Sequence, residues 1–418
     1  MQPKTLLNKL YKLRSFVYGR TTLLEKEDGK ELEVEILPRA NAKPECSGCG
    51  VRGRGYDTLP ERRYEFVPIF LCVKVFFLYC PRRVDCPRCG VRVERVPWSD
   101  GKNQQTIPYK LFLARWAKKL SWNEVATSFR TSWYQVFSAV SYVVEWGLEH
   151  RVLSGISAIG IDEILTNRGH HYATVVYQID GHCRRLLWVG EKRTAKTLLR
   201  FFRTLDKETT AGIRYVCSDM WRAYLKVIKK KLPHAIHILD RFHIVANLNK
   251  ALDKVRAEET RRLAASNYEP VLKGSRWCFL KAPKKLTDTQ HASLKELLKY
   301  NLKSVRAYLL KEDFQQLWNY TSPAWAEKFL DAWCTTAMRS KIEPFKKQAR
   351  SLRKHKPLIL NWFKAKKEFN SGIVEGLNGK AKLTMRKAFG FRTFNALQIA
   401  LYHQLGKLPE PEFIHRFF

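Results

Sequence analysis

Acidic side chains are scarce in this sequence. Its 418 residues hold 39 Asp and Glu against 76 Lys and Arg, a formal net charge of 76 − 39 = +37. So large an excess repels itself within a compact fold and calls for a polyanionic partner. Long apolar runs are missing as well. The most apolar stretch, residues 66–80, falls short of the ~20 residues that a membrane span needs and is broken by Pro68 and Lys74. The opening MQPKTLLNKLYKLR has no continuous apolar segment, so no signal peptide is expected. With neither a span nor an amphipathic anchor in view, a membrane surface is set aside; the polyanion is read as nucleic acid and the expected location as the cytoplasm. There is no internal repeat or low-complexity tract. At 45% hydrophobic residues the chain has enough apolar mass for two or three domains, which excludes general disorder.

Ten cysteines occur without an export signal, which excludes a disulfide framework and points to metal ligation and core thiols. Four of them form two turn-like knuckles, Cys46-Ser-Gly-Cys49-Gly50 and Cys86-Pro-Arg-Cys89-Gly90, with 36 residues between them. Two residues between thiolates let both sulfurs face one ion at about 2.3 Å, and the glycine frees backbone amides to hydrogen-bond sulfur. Cys46, Cys49, Cys86 and Cys89 are therefore expected to hold a structural Zn2+, with a β-hairpin over 66–79 filling the gap. Cys80 competes for a place in the second pair, though its spacing to Cys86 suits a knuckle less well. Cys72, Cys80, Cys183, Cys217, Cys278 and Cys334 are read as packing residues.

Residues 1–100 alternate apolar and polar in short runs, as at Leu32, Val34, Ile36 and Val91, Val93, and read as a β-rich module carrying the zinc site. Helical spacing takes over in 101–150. A first helix spans 107–120. Ser121 and Glu124 form a capping box that opens a short second helix ending near Phe129, and Ser132 with Gln135 can cap a third. This is a helix-turn-helix plan, with Val125, Ala126, Phe129, Val136 and Val140 inside and Thr131, Ser132, Tyr134 and Gln135 placed to face DNA. A helical hairpin that only packs is the alternative.

Beyond Ser154 the pattern gives strands at 156–164, 172–179 and 185–189, with turns at Asn167-Arg-Gly169 and Asp180-Gly181. A helix follows at 194–205, a strand at 213–218, a helix at 222–232 and a strand at 235–239. That order is the α/β ribonuclease H-like plan, a mixed five-stranded sheet with helices on its faces. The core is read as 151–243, an all-helical insertion as 244–367, and the last part of the core with a C-terminal helix as 368–418. Asn370 or Ser371 would cap a helix running through Lys382, and more helix follows Thr393.

Three acids stand in unusual company. Asp162 interrupts the apolar run Ala158-Ile-Gly-Ile-Asp-Glu-Ile164, Asp219 ends the strand Tyr215-Val-Cys-Ser-Asp219, and Glu375 lies on the helix of Asn370-Ser-Gly-Ile-Val-Glu-Gly-Leu-Asn-Gly-Lys-Ala-Lys382. A carboxylate inside a sheet is costly unless it is paired or binds metal. Three convergent carboxylates suit two divalent ions about 3.5 to 4 Å apart, the arrangement that activates a nucleophile and stabilises a leaving oxygen in phosphoryl transfer. Singly, each has an ordinary alternative as a surface or capping acid. Glu163 and Glu368 are weaker candidates for the same positions.

The motifs together (CSGCG, DCPRCG, SWNEVATSF, GIDEI, VCSDMWRAY, LDRFHI and NSGIVEGLNGKAK) resemble, over nearly the whole chain, the bacterial insertion-sequence transposases of the ISL-three type. The resemblance implies a DDE recombinase that uses Mg2+ or Mn2+ at Asp162, Asp219 and Glu375, with a zinc finger and a helix-turn-helix that reads terminal inverted repeats. Its partners would be double-stranded DNA of the repeats and the target, and a second copy or more of the chain in a nucleoid-associated synaptic complex. Lys382, seven positions after Glu375, and nearby Lys380 would contact DNA. The pair Asp240 and His243 matches an accessory motif in which His243 positions the scissile strand or is a hydrogen-bonded core histidine. A zinc-finger regulator that does not cut DNA and a structure-selective nuclease that does not rejoin it are the rival readings.

Overall fold

In this computed structural model the described residues are 3–27, 29–69, 73–100, 103–167, 171–266, 271–366, 369 and 372–411. Cys72, Glu368 and the two capping candidates Asn370 and Ser371 lie outside them. Contacts divide the chain into two units, Met1–Val152 with Leu383–Phe418, and Leu153–Lys382. No described helix is long and apolar enough to cross a membrane.

The first unit opens with a helix that the alternation did not foretell, α1 (Pro3–Leu10), followed by β1 (Phe16–Lys26), β2 (Gly29–Pro38), β3 (Arg54–Thr58), β4 (Arg62–Ile69), β5 (Val73–Tyr79), β6 (Arg82–Cys86) and β7 (Gly90–Val93). They form a four-stranded sheet, β1-β2-β5-β4, and a three-stranded one, β3-β6-β7. The expected hairpin is β4 and β5, antiparallel with Arg62 opposite Tyr79. Trp98, fully buried, is the hub of the first sheet's core, with the Phe16 and Tyr79 rings at 4.9 and 5.3 Å. Helices α2 (Ile107–Lys119), α3 (Trp122–Ser128) and α4 (Trp133–His150) follow. Both expected capping boxes are formed, at Ser121/Glu124 and Ser132/Gln135.

The second unit is built on β8 (Ala158–Asn167), β9 (His171–Ile179), β10 (Arg184–Glu191), β11 (Tyr215–Ser218) and β12 (Ile236–Leu239), interleaved with α5 (Ala195–Arg203), α6 (Lys207–Gly212) and α7 (Arg222–Lys231). The sheet order is β10-β9-β8-β11-β12. The first three strands form an antiparallel meander, and β11 and β12 run parallel to β8. Alternation along β8 sorts its two faces. Ile159 and Ile161 enter a core with Leu198 and Phe201 of α5 and Tyr224, Val227 and Ile228 of α7.

Among the described residues six α-helices then intervene: α8 (Arg241–Ala265), α9 (Arg276–Leu280), α10 (Asp288–Leu297), α11 (Lys303–Gln315), α12 (Pro323–Arg339) and α13 (Glu343–Lys364). No strand forms among the described residues of this segment. Buried Glu259 of α8 caps α11 by accepting from the Lys303 and Ser304 amides at 2.9 and 2.7 Å. The return helix α13 packs on the edge strand β12, where Asn361 Nδ2 donates to the His237 carbonyl at 2.8 Å. Of the insertion's tryptophans, Trp333 is buried, whereas Trp277 and Trp325 are exposed beside Arg276 and Lys328.

The other face of β8 carries α14 (Gly372–Lys387). Gly160 is needed there, because a Cβ at that position would lie 2.3 Å from Val374. From Leu383 onward the contacts of the chain fall with the first unit. The reason is α15 (Phe394–Leu405), which buries Ala396, Leu397, Ile399, Ala400, Leu401 and Tyr402 and packs against α4.

Candidate active site

The parallel pairing of β8, β11 and β12 sets three aspartates side by side. Ser218 pairs with Ile161 on one side and Leu239 on the other. The next residue on each strand is Asp162, Asp219 or Asp240, and the Asp240 amide donates to the Ser218 carbonyl at 2.8 Å. Burial pushes the Asp162 carboxyl up to about 6, and the neighbouring Asp219 and Asp240 charges push the same way. Burial also raises Asp219. Glu163, beside them, is pushed up to about 7 by burial and by Asp219.

Cations answer this crowding. His243, on the first turn of α8, donates to Asp240 at 2.8 Å, and that bond raises the imidazole to about 9, so it is protonated at neutral pH. Arg193 meets Glu163 at 2.7 Å and Asp219 at 3.6 Å, with its guanidinium 4.2 Å above the Trp221 ring. Sequence reasoning missed Arg193, which follows a strand end with no motif to mark it.

It also gave no role to Asn378, the central polar residue of α14. This buried side chain donates from Nδ2 to Asp162 Oδ2 at 2.7 Å and accepts from the Tyr177 hydroxyl at 2.9 Å. Tyr177 lies opposite Gly160 in the β8–β9 register, so strand, strand and helix meet at one amide. Glu375 stands one turn before Asn378 and is exposed. Among the described residues the four cysteines are the group of three or more ligands whose atoms lie within 4.8 Å of one another, so the Asp162, Asp219 and Glu375 carboxylates are less tightly gathered.

The cysteine cluster joins Cys46, Cys49, Cys86 and Cys89 next to the β3-β6-β7 sheet. Gly50 and Gly90 have φ of +73 and +69, the left-handed conformation each knuckle needs to turn back. Hydrogen bonding from the Arg88 amide draws the Cys86 thiol down to about 7. Four mutually close sulfurs with amide donors fit a tetrahedral Zn2+ site. Cys80 is not in the group and is exposed, so it neither replaces a ligand nor packs in the core.

In the helical segment Val125, Val136 and Val140 are buried, and Phe129 packs on Phe112 of α2 at 4.8 Å. Of the four residues expected to face DNA, Ser132 and Gln135 are engaged with each other in the cap and Thr131 bonds to Gln135. Tyr134 projects, 71% exposed. Lys380 and Lys382 are exposed on α14.

A mixed sheet of this order with aspartates at the ends of its parallel strands defines the class of ribonuclease H-like enzymes that act on nucleic acid. A family model described as "Transposase", of the DDE type and the ISL-three group, matches residues 159–401. The chain is 30% identical over 380 residues to the transposase for insertion sequence element IS1001 of Bordetella parapertussis, covering 90% of this chain and 92% of that protein. It is also 30% identical over 395 residues to the transposase for insertion sequence element IS1557 of Mycobacterium tuberculosis, covering 88% and 87%. The chain belongs to the ISL-three family of DDE transposases, DNA-cutting and DNA-joining enzymes that use divalent metal ions.

Proposed function

We propose that this transposase binds the terminal inverted repeats of its own insertion sequence and that Asp162, Asp219 and Glu375 hold the divalent ions, Mg2+ or Mn2+, of the cutting reaction. The observation that carries the assignment is the register that sets half-buried Asp162 beside buried Asp219, with α14, the helix that bears Glu375, reaching Asp162 through Asn378. Bound there, the ions would supply charge to activate water and to stabilise the leaving 3′ oxygen. Water attacks the phosphorus at the element's end, the P–O3′ bond breaks, and the freed 3′-hydroxyl then attacks a phosphodiester of target DNA, displacing its 3′ oxygen. Asp162 is held for this task by the Asn378 amide and the Glu163 backbone amide. Protonated His243, anchored by Asp240, offers a donor to a phosphate of the scissile strand. Residues 1–100 serve as the zinc module, 101–150 as the repeat reader with Tyr134 foremost, and Lys380 and Lys382 as phosphate contacts. Two or more copies pair the ends.

The test is cleavage of a labelled repeat-end duplex with Mg2+, beside binding of the same duplex with Ca2+. Asp162→Asn, Asp219→Asn and Glu375→Gln should each bind like the parent and cut at least roughly 10²-fold more slowly, the scale of a lost transition-state interaction. Glu163→Gln should be far milder. Full activity in all three variants would refute the assignment, and a nuclease reading gains if cut ends never join target DNA.

A further inference from the structure

A phenylalanine stands where the fold has no use for one. Phe389 follows α14 in the turn Ala388-Phe-Gly-Phe391 and is 99% exposed. Its φ is +53, a left-handed conformation that L side chains avoid and that helix ends usually give to glycine. Backbone bonds from Phe389 to Arg386 and from Gly390 to Met385, at 3.0 and 2.9 Å, close the helix in this form. The turn is held from behind. Phe391 packs 5.6 Å from Trp122 of α3, and Lys387 donates to the Lys119 carbonyl. Phe391 thus points inward while Phe389 points away, on the same unit as the helix-turn-helix.

The setting is cationic. From Gly376 to Pro409 the sequence has no Asp or Glu but carries Lys380, Lys382, Arg386, Lys387, Arg392 and Lys407. Arg386 and Arg392, both exposed, stand three residues before and three after Phe389 in the sequence. A large aromatic ring fixed in a costly conformation, bare of packing and flanked by guanidinium groups, is complementary to an exposed base between two phosphates. A second protein surface of like charge would be repelled.

We propose that Phe389 is a base-stacking wedge: it inserts against an unpaired or opened base of the DNA being processed while Arg386 and Arg392 hold the flanking phosphates. This rests on the reading of the chain as a repeat-binding transposase. Opening the strand gives the active site access to the phosphodiester to be cut, and every base has a face that such a ring can cover, so the contact sets strand opening rather than sequence choice.

The experiment uses the full chain and duplexes of the element's own end, with 2-aminopurine placed in turn at each position near the cut. The parent should raise the fluorescence at one or two positions several-fold. Phe389→Ala should abolish that signal and slow cleavage by about tenfold or more, the loss typical of one stacked base, while Phe389→Trp restores both. Arg386→Ala and Arg392→Ala should each lower the slope of log affinity against log salt by about one, whereas Phe389→Ala leaves that slope unchanged. With parental binding and cutting established, an unaltered fluorescence signal and rate in Phe389→Ala would overturn the proposal. So would loss of self-association by that variant in sedimentation with its DNA signal intact, which would make the ring a protein contact. Failure of the parent itself to bind the duplex would instead strike the repeat-binding reading.

Discussion

Asn378 shows how one amide can govern a site. Because the Tyr177 hydroxyl donates to Oδ1, the amide group has to present Nδ2 to Asp162. Both oxygens of Asp162 then accept a hydrogen bond, one from Asn378 and one from the Glu163 backbone, which fixes the rotation of the carboxylate. Asn378→Leu leaves that acceptor and the tyrosine unpaired, a loss of about 1–3 kcal/mol in a buried setting. We expect cleavage to fall about tenfold or more and half-maximal activity to require more Mn2+, with Tyr177→Phe milder in the same direction. A variant that only melted earlier, with its Mn2+ dependence unmoved, would reduce Asn378 to a packing role. His403 makes a different residue-scale prediction. Burial, with Lys118 adding to it, pushes this histidine down to about 3, and among the described residues neither ring nitrogen has a hydrogen-bond partner. Its folded value lies below its ordinary one, so its stabilising contribution is present above pH 6.5 and is lost as the pH falls towards 3. Between pH 7 and pH 5 the loss is about 2 kcal/mol. His403→Leu should flatten the fall of melting temperature over that interval; an equally steep fall would mean other groups set it.

At the scale of elements, the cysteine knuckles and the helix caps behave as separable devices. The knuckles replace a large hydrophobic core beneath a three-stranded sheet, where Val84 with Cys46 and Cys86 is the only buried cluster among the described residues. Cys46→Ser or Cys89→Ser should therefore release the metal, measured as loss of one zinc per chain by atomic absorption, and should lower repeat affinity. The β8–β12 sheet should keep its melting transition. The turn between α3 and α4 is held by the Ser132/Gln135 capping box and the left-handed Arg130, with φ +48. That leaves Tyr134 as the residue of its second helix with most surface to offer a groove. The insertion's exposed Trp277 and Trp325, each beside a cation, fit a surface that meets DNA better than a private core.

Over the whole molecule, the ends of the chain depend on each other. Gly147 of α4 lies so near Leu408 that a Cβ would stand 2.7 Å from it, and Glu410 meets Lys118 at 2.6 Å and Arg115 at 3.5 Å. A fragment of residues 1–152 would expose the face of α4 that α15 covers. Residues 1–152 should melt poorly and bind weakly, and a fusion that adds residues 383–411 through a flexible linker should recover both, read by circular dichroism and by gel shift. Equal behaviour of the two fragments would make the α4–α15 packing dispensable.

Much of this could be read from local pattern. Alternation and turn residues located all five strands of the central sheet to within three residues, because their periods and bounding glycines are local properties. The CxxCG spacing picked out of ten cysteines the four that the fold gathers, for the same reason: two residues between thiolates define a turn on their own. The motifs pointed to Asp162, Asp219 and Glu375, of which parallel pairing sets Asp162 and Asp219 side by side. What they could not contain were facts of register and return. That Asp240 stands level with Asp162 and Asp219 follows from parallel pairing of strands far apart in sequence. That Asn378 reaches Asp162 follows from Val374 seating α14 on Gly160. The C-terminal helix joins the N-terminal unit because its apolar surface finds α4, a choice made by which buried faces fit, and no local period records it.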